Sequence, residues 1–361
     1  MSIEEEIRQK AYALGIEKLG IIKPEAMLDY ADRLRERMER LPNGKALYGG
    51  FMGFADVQKN IPWAKSIIVA VFHYGHYIIP KDIGDRYGKS YLVDSRFNQD
   101  SPERQMLIAF EEHLHDLGIK TASNEHPGIT AMRWAAYKAG LGIIRRNNFL
   151  YTEKGSWVGI TAWAADKEME LIENHSLVEC SENCNKCVKA CPTASLSAPY
   201  TMNMATCVSR LSSSNDAASY DDETNRQMGG WMYGCNVCQE VCPMNKDKWE
   251  DTDVFPGLAD IQRFLLPSQI IHLSYDDIEK HITPKFFYIK KESLWRWKLN
   301  AINAMVNDYK EEYLEDIQYA LKDEYEVVRE AARRALDTPV RFGYGKTMSN
   351  STRFKEQGDD C

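Results

Sequence analysis

The chemistry of this chain is concentrated in its cysteines. Eight of nine fall between positions 180 and 242: Cys180, Cys184, Cys187 and Cys191, then Cys207, then Cys235, Cys238 and Cys242. Cys191 and Cys242 are each followed by proline. A run of closely spaced cysteines closing on Cys-Pro is the pattern by which proteins hold paired [4Fe–4S] clusters, the last cysteine of one run ligating the other run's cluster. Two such clusters need eight thiolates, and eight are present. Crossed ligation predicts one cluster on Cys180, Cys184, Cys187 and Cys242, and a second on Cys191, Cys207, Cys235 and Cys238. Paired Cys-x-x-Cys motifs also build structural zinc sites, but those rarely close twice on Cys-x-x-x-Cys-Pro. A disulfide framework fits poorly, because the cysteines crowd one stretch of a long chain. One departure stands out: three residues separate Cys180 from Cys184, where the usual run has two. Cys361 is the last residue and reads as a bystander.

Positioning these thiols falls to the flanking elements. The chain has 361 residues, 44% hydrophobic, with a formal net charge of −8. That size allows two or three domains, and the negative balance argues against a large nucleic-acid footprint without excluding a local one. No apolar run approaches the ~20 residues of a bilayer span. The acidic start, Met-Ser-Ile-Glu-Glu-Glu, is not followed by a signal-peptide core. Iron–sulfur ligands need a reducing compartment, so a cytoplasmic location is expected.

Ile3, Ile7, Ala11 and Leu14 recur at helical spacing before Gly15. Leu19–Ile22, Lys65–His73 and Trp157–Ala165 read as strands, with helices over Glu103–Leu117 and Thr130–Lys138. This mixture predicts an α+β chain with a layered sheet domain over 1–172. Residues 173–250 form the cluster module, where ligation replaces a regular core. Residues 251–338 carry short amphipathic helices that look like a HEAT-type unit, and 339–361 read as a flexible tail. Phe286–Lys291 and Trp295–Lys298 mix aromatics with cations, a combination suited to stacking on nucleic acid or to packing with a polar rim.

Three strings carry a resemblance: AGLGIIRRNNFLYTEKGSW from Ala139 to Trp157, CPTASL from Cys191, and YGCNVCQEVCPMN from Tyr233 to Asn245. Together they resemble the epoxyqueuosine reductases, relatives of the corrinoid-dependent reductive dehalogenases. The resemblance implies a nitroreductase-like N-terminal sheet domain, a ferredoxin-like double-cluster module and C-terminal HEAT-like helices. It further implies base-off cobalamin between the first two, electrons passing singly from the clusters to cobalt, a tRNA substrate, and a low-potential donor such as ferredoxin or flavodoxin. Arg133, Gly140, Gly142, Arg146, Asn147 and Ser156 are the implied cofactor contacts, with Arg145 beside Arg146 as a second cation toward corrinoid amides or a substrate anion. The family's proton donor is an aspartate in the loop before the helix that leads into AGLG. Here that loop reads Ser123-Asn124-Glu125-His126-Pro127, so Glu125 or His126 is expected as the catalytic acid. Tyr74, Tyr91 and Tyr151 are alternative phenolic donors. The missing aspartate keeps open a reductase or dehalogenase of a small organic substrate. A corrinoid-free electron relay and a reductive activator of corrinoid proteins are further alternatives.

Overall fold

The computed structural model describes residues 1–123, 128–216 and 221–337. Helix α1, Ile3–Leu14, starts where the Ser2 side chain accepts from the Glu5 amide, with Glu4, Glu5 and Glu6 in the first turn. Both features suit the positive end of a helix. It stops at Gly15, whose φ of 99° is open to glycine at little cost. Strand β1 (Lys18–Ile22), helix α2 (Tyr30–Arg40), strand β2 (Ser66–His73), helix α3 (Pro102–Asp116) and strand β3 (Thr121–Ser123) follow. Then come helix α4 (Met132–Lys138), the short strands β4 (Ile143–Ile144) and β5 (Leu150–Tyr151), and strand β6 (Val158–Ala165).

The sheet order is β1-β2-β6-β3, antiparallel throughout, with Val69 opposite Gly20 on one side and Ala162 on the other. Side chains of a strand alternate between faces, and both faces here are covered. Ile67, Val69 and Val71 pack with Trp134, Ala135 and Leu141. Ile68, Ala70 and Phe72 pack with Ile7, Phe110 and Leu114 of α1 and α3. Burial on both sides explains why β2 reads as one continuous apolar run.

The cysteine segment carries short helices, among them α5 (Lys186–Ala190) and α6 (Val237–Glu240). It is not coreless: Ala190, Val208, Leu211, Met228, Trp231 and Val237 form a small apolar cluster. Beyond it, helices α7 (Pro267–His272), α8 (Trp295–Asn307), α9 (Tyr313–Tyr319) and α10 (Glu326–Asp337) pack on one another. Their core continues into Tyr74, Tyr77, Tyr87, Leu92 and Trp157 of the N-terminal region and Tyr233 of the cluster segment. Residues 74–93 are therefore spent on the C-terminal core, and the three regions share one hydrophobic interior.

That interior decides the aromatic–cation runs. Phe286, Trp295, Arg296 and Trp297 are buried. Arg296 donates to the carbonyls of Ser214 and Asp216, and Lys298 pairs with Asp323 at 2.9 Å. Arg296 docks α8 on the cluster segment, Lys298 ties it to the turn before α10, and these buried residues are closed to nucleic acid; Tyr288, Lys290 and Lys291 remain exposed. Among the described residues no helix is long and apolar enough to cross a membrane. The expected tail at 339–361, with Cys361, lies outside the described residues.

Candidate iron–sulfur and cofactor site

Proline explains how one run of cysteines serves two groups. The residue before a proline is driven out of the helical region into extended backbone. Cys191, at φ −64° and ψ 112°, ends α5, and Cys242, at φ −75° and ψ 122°, follows α6. Each is thereby swung away from its own run. Burial pushes the Cys187 thiol up to about 11, and the thiols adding to that push are Cys242 and Cys180. Burial also raises Cys207, Cys235 and Cys238; the thiols acting on Cys235 are Cys207 and Cys191. Cys187 also acts on Cys238, so the two groups adjoin.

Cys235 and Cys238 keep part of their surface open although burial dominates their environment, the condition of thiols facing an internal space. Among the described residues no three His, Cys, Asp or Glu side chains converge closely enough for a single ion. Seven of the eight are free thiols.

The arginine pair does not reach toward an external ligand. Arg145 donates to the Val178 carbonyl at 2.7 Å and to the Cys180 sulfur at 3.7 Å. Arg146 donates to the carbonyls of Cys184, at 2.8 Å, and Glu182, at 2.9 Å, and to the Asn185 side chain. Both clamp the loop that carries the first cysteines. The glycines sit close to the chain's own backbone. A Cβ on Gly140 would lie 1.8 Å from the Glu173 carbonyl oxygen, and one on Gly142 would lie 2.3 Å from that of Tyr151. The close approach they permit is by the chain's own backbone.

Asn147 and Ser156 sit on the seam between the sheet region and the cysteines. Asn147 donates to the Tyr151 hydroxyl and to the Cys238 carbonyl, both at 2.8 Å. The Ser156 hydroxyl accepts from Gln239 at 2.9 Å and Asn245 at 2.8 Å, and the Ser156 amide donates to Asn245 Oδ1. Gln239 and Asn245 went unassigned in the sequence, although both lie in the YGCNVCQEVCPMN string that carries the resemblance. The three tyrosines are held neutral chiefly by burial, which pushes Tyr91 up to about 12 and Tyr74 and Tyr151 higher. Tyr91 pairs with Ser209 at 3.2 Å.

Arg133, on α4, stands apart. It donates to the Asn148 carbonyl at 2.6 Å, while Arg37 of α2 donates to Asn148 Oδ1 at 2.9 Å. Asn148 is in the left-handed region, at φ 65°, and its buried Nδ2 has no hydrogen-bond partner. Arg133 remains exposed, yet burial lowers its pKa, and Tyr30, Arg37, Tyr48 and Cys207 all act on it. The side chain is thus open to water on one side and crowded by protein on the other. Glu125 and His126 lie outside the described residues, between β3 and α4.

Residues 179–245 match the family described as 4Fe-4S double cluster binding domain. An epoxyqueuosine reductase from Atelocyanobacterium thalassa (isolate ALOHA) is 26% identical over 262 residues, covering 70% of this chain and 83% of the relative. The fold superposes on selenomethionine-labelled epoxyqueuosine reductase with TM-score 0.75, 23% identity and coverage of 92% and 89%. It also superposes on an epoxyqueuosine reductase solved with an epoxyqueuosine-modified tRNA-Tyr stem loop, with TM-score 0.74, 22% identity and the same coverage. Homology along most of its length and a double [4Fe–4S] domain at its centre make this chain a relative of the epoxyqueuosine reductases, and an oxidoreductase.

Proposed function

We propose that this protein is a cytoplasmic, cobalamin-dependent reductase that draws electrons through two [4Fe–4S] clusters and acts on epoxyqueuosine in a tRNA anticodon. Arg133 carries the reading: a cation open to water on one side and crowded by protein on the other, with Cys207 of the second group among the residues acting on it. The clusters are assigned to Cys180, Cys184, Cys187 and Cys242, and to Cys191, Cys207, Cys235 and Cys238. Cobalamin bound beside Arg133 supplies a cobalt centre that can be reduced to a strong nucleophile, chemistry no side chain offers.

The chain's own residues bind, enclose and protonate. Arg133 and the unpartnered Asn148 Nδ2 offer N–H donors to the amide-rich edge of a corrinoid. The nitroreductase-like sheet region, α4 and the β4–β5 segment exclude water on one side, and the cysteine groups close the other. Glu125 or His126 holds the transferred proton on the segment leading into α4. The segment leading into α8 of the HEAT-like region presents Tyr288, Lys290 and Lys291 as the remaining exposed aromatic–cation surface for tRNA, and a ferredoxin or flavodoxin supplies the electrons. One observation favours a second reading, a reductase of a small organic substrate: no aspartate stands between Ser123 and Gly128.

Reduced, reconstituted protein with cobalamin, given tRNA bearing epoxyqueuosine, separates the two. Conversion to queuosine supports the first reading. No conversion and no salt-dependent tRNA binding, with clusters and corrinoid both loaded, moves the assignment to the second.

A further inference from the structure

The β4–β5 hairpin brings two buried polar side chains against the first cysteine group and not the second. Arg145 is 4% exposed and Tyr151 1%. The Arg145 guanidinium carbon lies 5.2 Å from the Tyr151 ring centroid, and its Nη1 reaches the Cys180 sulfur at 3.7 Å. The Tyr151 oxygen accepts from Asn147 at 2.8 Å and from Asn245 at 3.4 Å. A phenol has two acceptor sites and one proton. The Ser156 hydroxyl and the Cys242 thiol also stand within hydrogen-bonding reach of this oxygen, and Cys242 is a partner to which the phenol can give its proton.

Cys180 and Cys242 fall in the same proposed cluster. The second group receives neutral donors: the Leu196 amide reaches Cys191 at 3.5 Å, the Val237 amide faces Cys235, and the Ser209 and Arg210 amides with the Ser195 hydroxyl face Cys207. Arg133 acts on Cys207 through space only. Reduction adds negative charge to a cluster, and donors or cations at its sulfurs favour the reduced form. Away from water these interactions are screened less.

We propose that Arg145 and Tyr151 are positioning residues that raise the reduction potential of the Cys180–Cys242 cluster, so that the first electron to arrive rests there. This rests on the two-cluster reading. The test is an EPR-monitored redox titration of the full, anaerobically reconstituted chain. Wild type must carry about eight irons and two midpoints, as two four-iron clusters require; fewer removes the two-cluster reading itself. Cys187→Ala then shows which midpoint belongs to the first group. In Tyr151→Phe, which keeps the ring under Arg145, iron should stay full. That midpoint should fall by at least a tenfold change in the reduction equilibrium, about 59 mV for one electron. Arg145→Lys, which retains the charge but not the fork, should lower it less than Arg145→Gln. Full iron with an unmoved first midpoint in both Tyr151→Phe and Arg145→Gln, or a shift confined to the other midpoint, overturns the proposal. So does loss of iron in Tyr151→Phe, which would make the hydroxyl a structural latch.

Discussion

The two cysteine groups come from near-identical sequence patterns and live in different surroundings. The group of Cys180, Cys187 and Cys242 is gripped from outside its own segment: Arg145 and Arg146 hold its loop through four carbonyl and sulfur acceptors together with Asn185. The group of Cys191, Cys207, Cys235 and Cys238 leans on nearby backbone and the small core around Trp231, and its Cys207 acts on Arg133. A spacing pattern says how many clusters a chain can hold. The residues that face each sulfur decide what each cluster does.

The largest separation of the groups comes from their ligands. Cys187→Ala should remove close to half the iron, and Cys238→Ala the other half; full iron in either variant breaks the ligand assignment. Next is the clamp. Arg146→Ala frees the carbonyls of Cys184 and Glu182, so chelator should strip the first cluster faster while the second is lost at the wild-type rate. Equal acceleration of both would erase the contrast. Asn245→Ala tests the seam the groups share. It leaves the Ser156 amide and the Gln239 carbonyl without their partner, and a buried polar group left unpaired costs about 1–3 kcal/mol. The loaded protein should melt at lower temperature with iron unchanged. The smallest effect on the clusters is expected from Arg133→Ala, which takes the donor from the buried Asn148 carbonyl: it should leave iron at the wild-type level, lower melting modestly and weaken corrinoid binding.

How much of this was legible in the sequence follows from how local each signal is. The β2 run and the first helix with its Gly15 stop are specified by spacing and branching within a few residues, and the structure has them where the pattern puts them. Arg145 and Arg146 were assigned to a ligand because a basic pair announces charge and not its partner, which lies more than thirty residues away. Gly140 and Gly142 announce close approach and not what approaches. Phe286, Trp295 and Trp297 belong to an interior shared by three regions of the chain, and an aromatic–cation run looks the same whether it meets a base or a core. The use of residues 74–93 by the C-terminal helices is equally non-local. Glu125 and His126, the expected acids, fall outside the described residues.

The central claim is that a corrinoid binds against Arg133, beside the second cysteine group. Anaerobic reconstitution of both clusters followed by titration with cob(II)alamin, read by EPR, tests it most directly. The account predicts loss of the axial-base nitrogen splitting, stoichiometric with the chain, and a weaker transition in Arg133→Ala at equal iron. A free-cobalamin spectrum left unchanged beside two intact cluster signals would contradict it and leave a protein that only relays electrons.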